Sequence, residues 1–133
     1  MYQTLVDDQG IDCVVRLDEA RYLDIQIKAR SKDAEQPSLF AAMTVEPREN
    51  LFFIFYTEVN DMLWVMPSKD VVDLGSTNVS GKNEGKLSLS LPGSRSTDRT
   101  ERFSRYRGEE GFELLRRFRK NAAVYTGWNR RCI

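Results

Sequence analysis

The 133-residue chain contains no histidine and only two cysteines. Without histidine, Ser-His-Asp and Cys-His catalysis are excluded. Two cysteines cannot build a Cys/His zinc site within one chain. Any metal bound here must therefore sit on oxygen ligands, which suit magnesium or manganese. Cys13 and Cys132 stand at opposite ends of the chain, and Cys13 falls in an apolar strand pattern. That placement favours unbridged cysteines over a structural disulfide. Long hydrophobic runs are also missing. The longest, Leu51 to Tyr56, is strand-sized, far short of the ~20 residues that span a bilayer. The N-terminal MYQTLVDDQG shows no basic start followed by an apolar stretch. No secretory signal is read there, and a cytoplasmic, non-membrane protein is expected.

What is present is globular in composition: 41% apolar and 30% charged residues. The length predicts a single domain over 1–133 with one core. Net charge is zero but unevenly spread. Residues 1–93 hold 9 Lys+Arg and 15 Asp+Glu, whereas 94–133 hold 11 and 5. Ten of those 11 are arginine, the better phosphate fork. The basic 94–133 segment is either a solvated helix surface or an electrostatic footprint for a nucleic-acid backbone.

Ile11 to Leu17 reads as a strand, and Tyr22 to Ala29 as a second with period two. Leu23, Ile25 and Ile27 then face one way, and Tyr22, Asp24, Gln26 and Lys28 the other. The short polar link Asp18-Glu19-Ala20-Arg21 predicts an antiparallel hairpin. Residues 30–39 read as a loop, and Phe40 to Val45 is ambiguous. LFFIFY at 51–56 is apolar on both faces, as a covered central strand requires. Met62 to Met66 makes the next strand. Ser68 caps a short helix through Leu74, stopped by Gly75, with Asp70 in its first turn. Ser76 to Gly85 is a loop, and Lys86 to Leu91 an alternating strand. From Arg99 the pattern is helical, with a break at Arg107-Gly108. Phe112, Leu115, Phe118 and Ala122 form the apolar stripe of the second piece. The expected fold is α+β: a mixed central sheet of about five strands, one short helix and C-terminal helices.

The chemistry concentrates on the hairpin. Asp12 is flanked by Ile11 and Val14-Val15, an unusual place for a charge without a partner or an open face. Opposed residues of an antiparallel pair share a face. An odd-length turn would set Asp12 opposite Gln26 or Lys28, giving one cluster of acid, amide oxygen and ammonium. Two oxygen ligands there could hold a magnesium ion against a scissile phosphate, and the lysine could stabilise developing charge. The ordinary alternative is an exposed sheet surface, with Asp12 and Lys28 as a cross-strand ion pair worth little.

Gly10-Ile11-Asp12, 13 residues, then Gln26-Ile27-Lys28 resembles the PD-(D/E)xK nuclease superfamily. It is closest to the branch with Gln in place of the second acid, as in Mrr-type restriction endonucleases and related bacterial families. Asp8-Gln9-Gly10-Ile11-Asp12 also resembles their Asp-x-Gly-Ile-Asp lead-in. The resemblance implies a restriction-endonuclease-like core and magnesium- or manganese-dependent hydrolysis of DNA. Asp12 and Gln26 would be metal ligands and Lys28 the catalytic lysine. Lys28, Arg30, Arg116, Arg117, Arg119 and Lys120 are the expected nucleic-acid contacts. Many relatives carry a further Glu on a helix before the first strand, whereas no Glu precedes Ile11 here. Three expectations follow: the helix is absent, the chain begins late, or a homodimer partner or companion domain supplies it. In the damaged-site case the fold would bind nucleic acid or a protein without cutting.

Other motifs are weaker. Gly81-Lys82 and Gly85-Lys86 lack the P-loop order. Trp64, Tyr106 and Trp128 are candidates for base stacking, though each is more often a core or edge aromatic. Asn78-Val79-Ser80 matches a glycosylation sequon, but no signal peptide gives it meaning.

Overall fold

The computed structural model describes residues 12–16, 19–92 and 100–122. The fold is α+β. A four-stranded mixed sheet has the order β1-β2-β4-β5, with β1 Cys13–Arg16, β2 Tyr22–Arg30, β4 Leu51–Thr57 and β5 Met62–Pro67. β1 and β2 form the antiparallel hairpin read from the sequence, with Cys13 opposite Ile25 and Arg16 opposite Tyr22. β2 then pairs parallel with β4, and β4 antiparallel with β5. β4 is thus an inner strand, as its two-sided apolarity demands.

The remaining strands form a second sheet rather than extending the first. Its order is β3-β7-β6, with β3 Leu39–Met43, β6 Ser76–Thr77 and β7 Leu87–Ser90. The ambiguous Phe40–Val45 segment is therefore partly a strand. It is broken by a register shift between Phe40 and Met43, where Ala42 adopts φ 57°. An L-residue rarely takes that backbone outside a bulge or turn.

Each face of the main sheet has its own core. On one face Phe53 and Phe55 of β4 and Trp64 and Met66 of β5 pack with Phe40, Met43, Leu87 and Leu89 of the second sheet. Phe40 and Phe55 meet at a ring separation of 4.8 Å. On the other face Cys13, Leu23, Ile25, Phe52 and Val65 meet Phe112, Leu115 and Phe118 of helix α3, Gly108–Ala122. Of the predicted stripe, Phe112, Leu115 and Phe118 pack here together with Leu114, while the side chain of Ala122 lies outside the described residues; Phe118 lies edge-on to Phe52 at 5.5 Å. The expected break is real: α2, Thr100–Phe103, and a 3-10 turn, Ser104–Tyr106, precede α3. Phe103 and Tyr106 belong to the first core and Phe112, Leu115 and Phe118 of α3 to the second, with Leu114 touching both. The chain therefore rounds the β5 edge of the sheet, where Arg107 bridges to Trp64.

Two local expectations are corrected. Ser68 opens helix α1, Ser68–Leu74, but its side chain makes no cap. Its hydroxyl instead accepts the Arg48 N–H at 2.9 Å and donates to the Arg48 carbonyl at 2.8 Å. Fully buried, it needs such partners, and it pins the approach to β4. Cys13, expected to be unbridged, is buried and disulfide-bonded. Cys132 lies outside the described residues. Among the described residues no helix is long and apolar enough to cross a membrane.

Candidate functional site

The hairpin positions the candidate centre. Residues 17–21 join β1 to β2, the odd-length connection that the cluster requires. The β1–β2 ladder ends with Cys13 against Ile25, and one further step sets Asp12 against Gln26. Hydrogen bonds fix that placement. The Asp12 N–H donates to the Ile25 carbonyl at 2.9 Å, and the Ile27 N–H donates to Asp12 Oδ2 at 2.7 Å. Asp12 is thus bonded to both chain neighbours of Gln26. Its carboxylate lies along the edge of β2 and stands in for the next rung of the ladder.

Gln26 and Lys28 share the opposite face from Ile25 and Ile27, by strand alternation. That face was expected to be open. Instead Asp24 and Gln26 are each only 8% exposed, while Ile27 on the supposed core face is 50% exposed. The reason lies in the layers. Gln26 pairs beside Phe53 and Lys28 beside Phe55, so the polar side of β2 borders the core under the second sheet. The core on the other side gathers Leu23 and Ile25 with α3 but does not include Ile27.

Asp24 is held by a partner that the sequence did not suggest. Arg48 Nη1 approaches Asp24 Oδ2 at 3.0 Å, with the Asp24 side chain 12% exposed and that of Arg48 43% exposed. The Asp24 N–H also donates to the Asn50 carbonyl at 2.7 Å. Only the parallel pairing of β2 with β4 brings Arg48 there. No local pattern carries that signal.

The expected nucleic-acid contacts divide. Arg30, at the end of β2, donates to the Gln36 carbonyl at 3.1 Å and so ties down the 31–38 loop. Arg116 and Arg117 lie on α3, which packs against the other face of the sheet. Arg116 is bound to Glu109 at 3.0 Å and to Glu113 at 2.9 Å. Those two acids raise its pKa, hydrogen bonding to Glu109 contributing most. The side chains of Arg119 and Lys120, and the whole of Trp128, lie outside the described residues. Trp64 is 1% exposed and Tyr106 2%, so neither can stack on a base. The Tyr106 hydroxyl donates to Asp70 Oδ2 at 2.7 Å, and Arg105 reaches the same oxygen at 3.0 Å.

Asp12 and Gln26 offer two oxygen donors, the type that magnesium takes. Among the described residues no group of three or more acidic, His or Cys side chains is placed to hold a metal ion. An ion at this centre would therefore take its other ligands from water and a bound phosphate, the usual habit of magnesium.

No family model matches this chain, and no curated protein or solved structure matches it.

Proposed function

We propose that the chain is a nuclease domain that hydrolyses phosphodiester bonds of DNA with magnesium or manganese at Asp12, Gln26 and Lys28. One observation carries the reading: Asp12 is hydrogen-bonded on both sides of Gln26, with Lys28 two residues further on the Gln26 face. This adjacency supports reading the three residues as the Asp, Gln-x-Lys signature. When bound, the metal would polarise the phosphate and lower the pKa of an attacking water. The chain's own residues would do the rest. Asp12 is aimed by the Ile27 amide. Gln26 is fixed by its burial. The Lys28 ammonium supplies a compact positive charge where negative charge develops on the phosphate.

The test is cleavage of supercoiled DNA with and without magnesium. Asp12→Ala and Lys28→Ala should each abolish cleavage while the circular dichroism of the fold persists. Cleavage that survives both substitutions would sink the reading.

A second reading is a nuclease-fold module that binds nucleic acid or a protein without cutting. It is favoured by the single carboxylate at the centre and by the 8% exposure of Gln26. It expects DNA binding without metal and no cleavage with it.

A further inference from the structure

The arginine-rich C-terminal segment was the expected nucleic-acid footprint. The fold places α3 on the opposite face of the sheet from Gln26 and Lys28. Contacts to a strand running past the centre must come from elsewhere on the centre's own face. Strand alternation puts Val14, Arg16, Tyr22 and Asp24 there. These residues sit at the β1 edge, lateral to the second sheet, which packs over Phe53 and Phe55.

This ledge has the composition of a single-strand surface. Tyr22 is 42% exposed and Val14 40%. The guanidinium of Arg16 stands over the Tyr22 ring at 5.9 Å from its centroid. Arg48 is 43% exposed and anchored at one end by Asp24, and an anchored guanidinium still has other N–H groups to offer. Its anchoring cancels the Asp24 charge. The neighbouring Glu49 is met by Lys69 at 3.6 Å. Two acidic groups beside the ledge, Asp24 and Glu49, are thus already paired.

We propose that Arg16, Tyr22 and Arg48 form a binding ledge for single-stranded nucleic acid, which they lead toward Asp12. Tyr22 stacks on an unpaired base through the ring face that Arg16 does not cover. Arg48, positioned by Asp24, grips a phosphate. A base inside a duplex presents no open face to Tyr22, so the ledge selects single strands or locally opened ends. The inference rests on the proposed centre for its direction, but binding can be measured without it.

The experiment is fluorescence anisotropy of a labelled single-stranded DNA oligonucleotide of mixed sequence, in EDTA, with the full chain. The same sequence as a duplex is the second probe. Tyr22→Ser should weaken single-strand binding about tenfold, within the range of one base–aromatic stack. Arg48→Lys keeps a cation beside Asp24, so the fold is preserved, yet it loses the planar fork. It should weaken binding roughly threefold or more and lower the salt dependence little, because the charge count is unchanged. Arg117→Gln on α3 should change binding by less than about twofold. The ledge is overturned if the wild type does not bind the single strand, if duplex binds as tightly, or if Tyr22→Ser and Arg48→Lys bind as the wild type does. It is also overturned if Arg117→Gln weakens binding as much as they do. Single-strand binding on the ledge without magnesium-dependent cleavage would remove the hydrolytic reading and leave the ledge standing. Cleavage with an unchanged KM in the ledge variants would do the reverse.

Discussion

Ile27 donates its backbone N–H to the side chain of Asp12 at 2.7 Å, so a single carboxylate both extends the β2 ladder and faces the candidate centre. The hydrogen bond needs an oxygen acceptor but no charge. A metal ligand of this kind needs the charge.

The two roles separate by substitution. Asp12→Asn keeps an acceptor and should leave stability within about 0.5 kcal/mol of the wild type, whereas Asp12→Ala loses about 1 kcal/mol with the hydrogen bond. Both should abolish magnesium-dependent cleavage. Urea unfolding and a plasmid assay read the two effects. An Asp12→Asn protein that cuts at the wild-type rate would show that the charge is dispensable.

Gly111 lies within α3, where alanine is intrinsically better by about 1 kcal/mol. A Cβ at this position would overlap the Tyr106 carbonyl oxygen and stand 3.1 Å from Val65 Cβ. Those neighbours are backbone and core, so neither can yield cheaply. Gly111→Ala should therefore destabilise the protein by about 2 kcal/mol or more, despite helix propensity. A thermal midpoint at or above the wild-type value would contradict this.

Phe53 and Phe55 are fully buried and stack at 5.6 Å. Truncating either to alanine should remove about 3–5 kcal/mol of stability. Val59→Ala, at a position 49% exposed, should stay within about 0.5 kcal/mol. Denaturant midpoints at constant slope would check the contrast.

Burial raises the pKa of Tyr106, and its hydrogen bond to Asp70 adds to the rise. The folded protein thus holds this phenol protonated beyond the pH where the unfolded chain releases it. The linked stability is fully present below the ordinary tyrosine pKa of about 10. It is lost as pH rises from there through the raised folded value. Tyr106→Phe should be less stable at neutral pH, having lost the bond to Asp70. Its stability should fall less steeply in alkali. Denaturation curves on either side of about pH 10 would detect it, and parallel slopes for the two proteins would refute it.

Elements with a local signature were legible in the sequence. The β1–β2 hairpin, the LFFIFY strand, the Leu87/Leu89 alternation and the α3 stripe each follow from a repeat within a few residues. What failed was the sense of the faces. Period two on β2 correctly separates Leu23 and Ile25 from Asp24 and Gln26. It cannot say which face a second sheet will cover, or where a helix on the other face will stop. That is why Gln26 is buried and Ile27 is half-exposed. The division into two sheets was hidden for the same reason: strand pairing is non-local. Asp24 finds Arg48 only because β2 and β4 run side by side. At the candidate centre, turn parity was enough to bring Asp12 beside Gln26. No sequence pattern signals that the carboxylate turns onto the Ile27 amide.

The parallel pairing of Asp24 with Leu51 also orders events in time. β4 and β5 are joined by residues 58–61 alone and can zip together early, because their ends close a short loop. β2 must wait for a much longer stretch of chain to fold back, and long-range parallel pairing is slow. The docking of the β1–β2 hairpin, with Asp12, Gln26 and Lys28, onto β4 is therefore expected among the last steps of refolding. A refolding chain would then hold β4 and β5 paired before the hairpin that bears the candidate centre is seated beside them.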